Sequence, residues 1–144
     1  MSSALKMLRI VHIAMLISIG MYVIVGELVS SRSPIVARPT FFYVLSVLSI
    51  TTIGVILVVR RTLVLHSETT LRVKSNDLAT LNRWRTGYII TYALSESLAL
   101  FGLLVRLTGF SLSQAVTFYF PGFVLMLFFR PRPPAAEFSS PDLS

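Results

Sequence analysis

The sequence contains no cysteine, and only 6 of its 144 residues are acidic. The absence of cysteine excludes disulfides, thiolate metal sites and a cysteine nucleophile. Charged residues of both signs make up only 13% of the chain, whereas 54% of the residues are hydrophobic and the mean hydropathy is +0.78. This composition is typical of an integral membrane protein and argues against a soluble domain.

Residue patterns that mark catalytic or cofactor sites are also missing. His12 and His66 are the only histidines. No paired-histidine or carboxylate cluster for a metal is present, and there is no glycine-rich phosphate loop. We therefore expect no enzymatic activity, no metal and no cofactor. His12 lies inside an apolar run, where we expect it to hydrogen-bond a neighbouring helix or to reach lipid headgroups.

Four apolar runs are long enough to cross a bilayer, which takes about 20 helical residues. We read the first as a retained helix, because it is longer than the apolar region of a usual signal peptide. The sequence thus predicts an all-α fold, a polytopic membrane protein with a four-transmembrane-helix bundle. A long loop, 60–86, and a polar tail, 131–144, that we expect to be disordered accompany the bundle. The four runs are Arg9–Leu28, Phe41–Val59, Gly87–Val105 and Leu112–Phe129.

The formal net charge of +7 comes from basic residues that lie beside the apolar runs. They form no patch with interleaved aromatic residues, so we expect anionic lipid headgroups rather than nucleic acid as partners. Of the 13 basic residues, only Arg32, Arg38 and Arg106 fall on the side opposite the N-terminus and the 60–86 loop. The positive-inside rule then predicts that both termini are cytoplasmic, in a bacterial inner membrane.

Glu96 stands at the middle of the third apolar run, where an acid costs about 2.5–3.5 kcal/mol on insertion scales. With no cation at that depth, we expect a protonated carboxyl that donates a hydrogen bond to a hydroxyl or a backbone carbonyl. Two roles stay open, an interhelical hydrogen-bonding group or a reversible proton or cation carrier. Polar residues at about the same depth should join it in the bundle interior, namely Ser18, Ser49, Thr52, Tyr92 and Ser95.

Helical spacing divides the third run into two faces. A face of small and polar residues should point into the protein and allow close helix approach. The opposite face should contact lipid. The inward residues are Tyr88, Tyr92, Ser95, Glu96, Ala99, Gly102 and Leu103, and the lipid-facing ones are Ile90, Leu94, Leu98, Phe101 and Val105.

Residues near the ends of the runs suggest interfacial roles. A helix cap at 75–77 predicts a short helix that leads into the third run. On it, Trp84 between Arg83 and Arg85 is expected at headgroup level, with docking of a soluble partner as the alternative. Glu27 and Arg106 lie at similar outer depths, where an ion pair would lock the register of two helices.

The segment Ala93–Val105, ALSESLALFGLLV, resembles the carboxylate-bearing helix of the ATP synthase ring proteolipids, the c subunits. In that family a mid-membrane acid among small residues carries the translocated proton or sodium ion, so the resemblance implies that Glu96 is a carrier. It covers about a tenth of the chain, and the glycine-repeat helix of that family is absent. More broadly, the chain resembles the small four-helix inner-membrane proteins of bacteria, which implies no particular activity.

Three functions follow from these observations. The first is a non-enzymatic membrane scaffold or accessory subunit that associates with other membrane subunits or with itself. The second is a proton- or cation-handling protein with Glu96 as the carrier. The third is a module that binds lipid or a partner through the basic 60–86 loop.

Overall fold

The computed structural model describes residues 2–31, 36, 38–74 and 77–132. This part of the chain is all-helical and contains no strand, which confirms the predicted fold class at that level. Three stretches, Ser3–Ser30, Pro39–Val73 and Leu78–Leu107, are long and apolar enough to cross a membrane. The helices are α1 (Ser2–Ser30), α2 (Pro39–Val59), a π-helical segment (Arg60–Leu65), α3 (His66–Val73), α4 (Leu78–Leu107) and α5 (Leu112–Phe128).

The turn between α4 and α5 follows from Gly109. Its φ of 93° lies in the left-handed region, which glycine adopts without a steric cost. The N–H of Phe110 bonds to the carbonyl of Val105, and that of Gly109 bonds to Arg106, which is the pattern of a Schellman motif. Ser111 then begins α5 with a capping box that includes Gln114. This short connection makes α4 and α5 antiparallel neighbours.

Helix α4 is the centre of the bundle, since α1, α2 and α5 all pack against it. Its aromatic side chains Trp84, Tyr88 and Tyr92 are essentially fully buried. Helix α5 is apolar but only 17 residues long, and it passes through Pro121 without a break. At 1.5 Å per residue it spans about 25 Å, close to the lower limit for a bilayer crossing.

The lipid-facing assignment for α4 is wrong at two positions, because Leu98 and Val105 are completely buried. Leu98 packs with Ile56 of α2 and with Phe129, which follows α5. Because α4 is the central helix, its neighbours cover it on more than one side, whereas helical spacing alone predicts a single buried face. Within the third apolar run, the exposed apolar side chains of α4 are instead Ile89, Ala93, Leu100 and Leu104.

The 60–86 segment is helical over most of its length, whereas the sequence predicts a loop with one short helix. The π-helical segment and α3 fold back against the first half of α4, and Gly87 leaves room for Val64. Trp84 is therefore fully buried beneath these residues, which corrects its expected headgroup-facing position. Arg83 is exposed and Arg85 is half-buried. Most of the tail expected to be disordered, 133–144, lies outside the described residues.

Candidate functional site at Glu96

The Glu96 carboxyl joins α4 to α1 through two hydrogen bonds on one oxygen. Ser18 donates its hydroxyl to Oε1 at 2.7 Å, and Tyr22 donates to the same atom at 2.6 Å. Because Ser18 and Tyr22 are four residues apart, they lie one turn apart on the same face of α1. The carboxyl thus accepts both bonds, whereas the sequence predicts that it donates one.

The second carboxyl oxygen, Oε2, has no hydrogen bond from the residues that the structure describes. Glu96, Ser18 and Tyr22 are all half-buried, so this group lies at the edge of the α1–α4 contact rather than inside a sealed core. An oxygen without a partner at an accessible edge is free to hold a proton or to bind a cation. The hydroxyls on Oε1 would orient the carboxyl for either event.

Two expected partners on α2 do not reach Glu96. Thr52 donates to the carbonyl of Leu48 within its own helix. Ser49 is buried, and its hydroxyl has no hydrogen-bond partner among the described residues. Helix α2 contacts α4 at Leu98, which is two positions after Glu96. Side chains two positions apart on a helix point about 200° away from each other. The α2 contact and the Glu96 side chain therefore lie on opposite sides of α4.

The two expected partners on α4 itself make other bonds. Ser95 is completely buried and donates to the carbonyl of Thr91. Tyr92 is also completely buried, and its hydroxyl donates to the carbonyl of Phe129 at 3.0 Å. Tyr92 thereby holds the end of α5 against α4. Both residues belong to the bundle core, although neither completes a polar layer around Glu96.

Tyr22 is the site residue that sequence reasoning missed. A tyrosine in an apolar run is compatible with a plain core aromatic, which is how such residues are usually used. The available signal was its spacing of four from Ser18, which places two hydroxyls on one helix face. The backbone carbonyl of Tyr22 also accepts a bond of 3.4 Å from Tyr119, which connects α5 to the same place.

The expected ion pair between α1 and α4 is present about three turns along α4 from Glu96. Arg106 Nε donates to Glu27 Oε1 at 2.6 Å, and Nη2 donates to Oε2 at 3.1 Å. Its Nη1 donates to the carbonyl of Phe110 at 3.0 Å. The side chains of Arg106 and Glu27 are 21% and 41% exposed. This bidentate pair fixes the register of α1 against α4 and also holds the α4–α5 turn.

Within the described residues no group of three or more histidine, cysteine, aspartate or glutamate side chains is placed to hold a metal ion. His12 packs its ring against Tyr92, with ring centres 5.1 Å apart. Comparison of the chain with models of protein families, with curated proteins and with solved structures gives no match.

Proposed function

We propose that this chain is a non-enzymatic, multi-pass protein of the bacterial inner membrane that acts as a scaffold or accessory subunit. Its four apolar helices, α1, α2, α4 and the shorter α5, would cross the bilayer, with both termini in the cytoplasm. Three of them have the length and composition of membrane spans, and the distribution of basic residues supports the orientation. Anionic lipids and other membrane subunits, or a second copy, would be its partners.

The observation that carries this proposal is the hydrogen-bonded link between α1 and α4 at Glu96. Hydroxyls and a carboxyl inside a bilayer need internal partners, and polar groups that find one another across helices hold a bundle in one arrangement. The buried small residues Ser95, Ala99 and Gly102 allow α5 to pack closely against α4. Such a bundle is a stable platform on which other membrane subunits could assemble.

A second function, proton or cation handling, is favoured by one specific feature. The free Oε2 of Glu96 lies at a half-buried position, while Oε1 is held by two hydroxyls. A carrier needs a carboxyl that is oriented and can still exchange its ion, and intramembrane acids commonly serve in this way. The resemblance to the ring proteolipids around Glu96 points in the same direction.

Two substitutions distinguish these functions. Glu96→Gln keeps the volume and the ability to accept hydrogen bonds but cannot ionise, whereas Glu96→Leu removes both. A scaffold predicts no flux in proteoliposomes for the wild type, near-normal stability for Glu96→Gln and lower stability for Glu96→Leu. A carrier predicts a proton or cation flux that Glu96→Gln abolishes. Ser97→Ala is the matched control, because among the described residues the Ser97 hydroxyl bonds only to Ala93 of its own helix.

A further inference from the structure

We propose that a cavity between the beginning of α1 and the residues that follow α5 binds a phosphate group, carried by a lipid or free in solution. The cavity has a volume of about 510 Å³. This size is within the range of small-ligand sites and leaves room for more than a single phosphate. It is lined by Arg9, His12, Ile13, Arg130, Pro131 and Arg132.

Positive charge dominates this cavity. Three guanidinium groups line it, from Arg9, Arg130 and Arg132, and no acidic residue is among the lining residues. The one ion pair within the described residues joins Glu27 to Arg106, so none of the three arginines has a carboxylate partner there. Guanidinium groups bind phosphate oxygens in a bidentate way, and an anion would remove the repulsion among the three charges.

His12 supplies an observation that is independent of the arginines. Its side chain is only 8% exposed, and the described residues give its buried Nδ1 no hydrogen-bond partner. Buried polar atoms in folded proteins nearly always have a partner, so an orphaned nitrogen needs an explanation. Because the His12 ring lines the cavity, a phosphate oxygen bound there would provide an acceptor for the ring N–H.

The cavity is held in shape by the packing of α1, α4 and α5. The ring of Tyr92 lies against His12, and its hydroxyl donates to the Phe129 carbonyl. The Arg60 guanidinium lies over the Phe129 ring, 4.0 Å from its centre. These contacts fix the residue that directly precedes Arg130. The His12 ring and the backbone that leads into Arg130 are therefore held in place before a ligand binds.

A neighbouring groove favours a lipid as the source of the phosphate. It has a volume of about 320 Å³ and shares Arg130 and Arg132 with the cavity. Its other lining residues are Val124, Leu127 and Phe128, of which Phe128 is 73% exposed. An acyl chain fits such an apolar surface, and its headgroup would then reach the arginines. The assignment of the phosphate to a lipid rests on the proposed membrane crossing. That crossing would place the start of the first apolar run and the end of the fourth at the same membrane surface.

The experiment uses the full chain, purified in detergent and reconstituted into nanodiscs. Native mass spectrometry measures retained phosphatidylglycerol, and ³¹P NMR measures binding of inorganic phosphate. Phosphatidylcholine and oleate are the controls for a zwitterionic phosphate and for an anion without phosphate. We expect retention of phosphatidylglycerol, weakened about tenfold by Arg130→Gln or Arg132→Gln, since each removes a charge-assisted contact. His12→Phe should weaken binding while keeping the ring contact with Tyr92.

Arg38→Gln is the matched control, because Arg38 is an exposed arginine that lies outside the 60–86 segment and does not line the cavity. Retention of phosphatidylglycerol identifies a lipid site, and binding of inorganic phosphate that survives without lipid identifies a soluble one. Binding of neither overturns the proposal. It is also overturned if oleate binds equally well, if Arg38→Gln has the same effect, or if binding requires removal of 133–144, whose acids would then be the occupant. Circular dichroism and accessibility of introduced cysteines report the fold and topology separately, so loss of phosphate binding alone leaves the scaffold proposal standing.

Discussion

Gly122 of α5 lies directly against the backbone of Ser95 in α4. A Cβ atom at Gly122 would be only 2.7 Å from the Ser95 carbonyl oxygen and 3.3 Å from the amide nitrogen of Ala99. Contacts this close allow two helices to gain dispersion energy along their backbones, which is a main source of helix association in lipid. Ser95 and Ala99 on α4 therefore have their counterpart in Gly122 on α5, whereas Gly102 of α4 makes room for the ring of Tyr119.

Gly122→Ala should destabilise the bundle by about 1–3 kcal/mol, the usual cost of overpacking, because a backbone carbonyl cannot move aside as a flexible side chain can. Thermal unfolding in detergent measures the change. Gly20→Ala is the matched control, since a Cβ at Gly20 meets nothing within 4 Å. That variant should be neutral or gain up to about 1 kcal/mol from helix propensity. Equal effects of the two substitutions would contradict the close approach.

Tyr22→Phe removes one of the two hydrogen bonds to Glu96 and leaves the ring in place. We expect a loss of about 0.5–1.5 kcal/mol, the usual net value of a hydrogen bond. Combined with Glu96→Leu, it should cost less than the sum of the two single losses, because both remove the same interaction. A double-mutant cycle by thermal unfolding measures this. Strict additivity would show that the Tyr22 hydroxyl does not depend on Glu96.

Some of this geometry was predictable from depth along the apolar runs, and some was not. Ser18 and Glu96, like Glu27 and Arg106, are matched in depth, and the structure joins both pairs. Depth does not give the rotation of each helix, however. Thr52 has the right depth but belongs to α2, which contacts the other side of α4. The expectation of a single polar layer failed for that reason.

The ion pair of Glu27 with Arg106 should contribute little to stability despite its bidentate geometry. Both side chains are partly exposed, at 41% and 21%, and such pairs are worth at most about 1 kcal/mol. A double-mutant cycle with Glu27→Gln and Arg106→Gln should give a coupling energy of about that size or less. High salt should reduce it further, because ions screen exposed charges. A coupling energy several times larger would indicate a desolvated pair and a role beyond register.

Trp84, the only tryptophan in the chain, should report its burial directly by fluorescence. The structure buries it fully and stacks it edge-on against Tyr88, with ring centres 5.0 Å apart. We expect a blue-shifted emission that iodide and lipid-attached quenchers barely reduce. Leu81→Trp in a Trp84→Phe background is the comparison, since Leu81 is only partly buried. Strong quenching of Trp84 by headgroup-attached probes would restore the interfacial position expected from sequence.

The local Arg-Trp-Arg pattern around Trp84 indicates an interfacial anchor. However, the packing of 60–73 over Trp84 is a tertiary feature that the local pattern does not contain.

Asp77, which begins α4 outside the apolar part of the helix, provides a pH-dependent test. A hydrogen bond from the Thr80 hydroxyl lowers the pKa of Asp77 from its ordinary value of 3.8, and the nearby Lys74 acts in the same direction. Because the pKa is lower in the folded state, the ionised carboxylate stabilises this helix start above pH 3.8, and that contribution is lost as the pH falls through the lowered value.

Thr80→Ala should therefore raise the pKa of Asp77 toward 3.8, as measured by NMR titration of the carboxyl carbon. Hydrogen exchange in the first turn of α4 should rise on acidification in the wild type and stay independent of pH in Asp77→Asn, after correction for the intrinsic rate. Thr86→Ala, at an exposed position two turns further on, is the control and should change neither measurement. If Thr80→Ala leaves the titration of Asp77 where it was, the Thr80 hydroxyl is not the group that stabilises its charge.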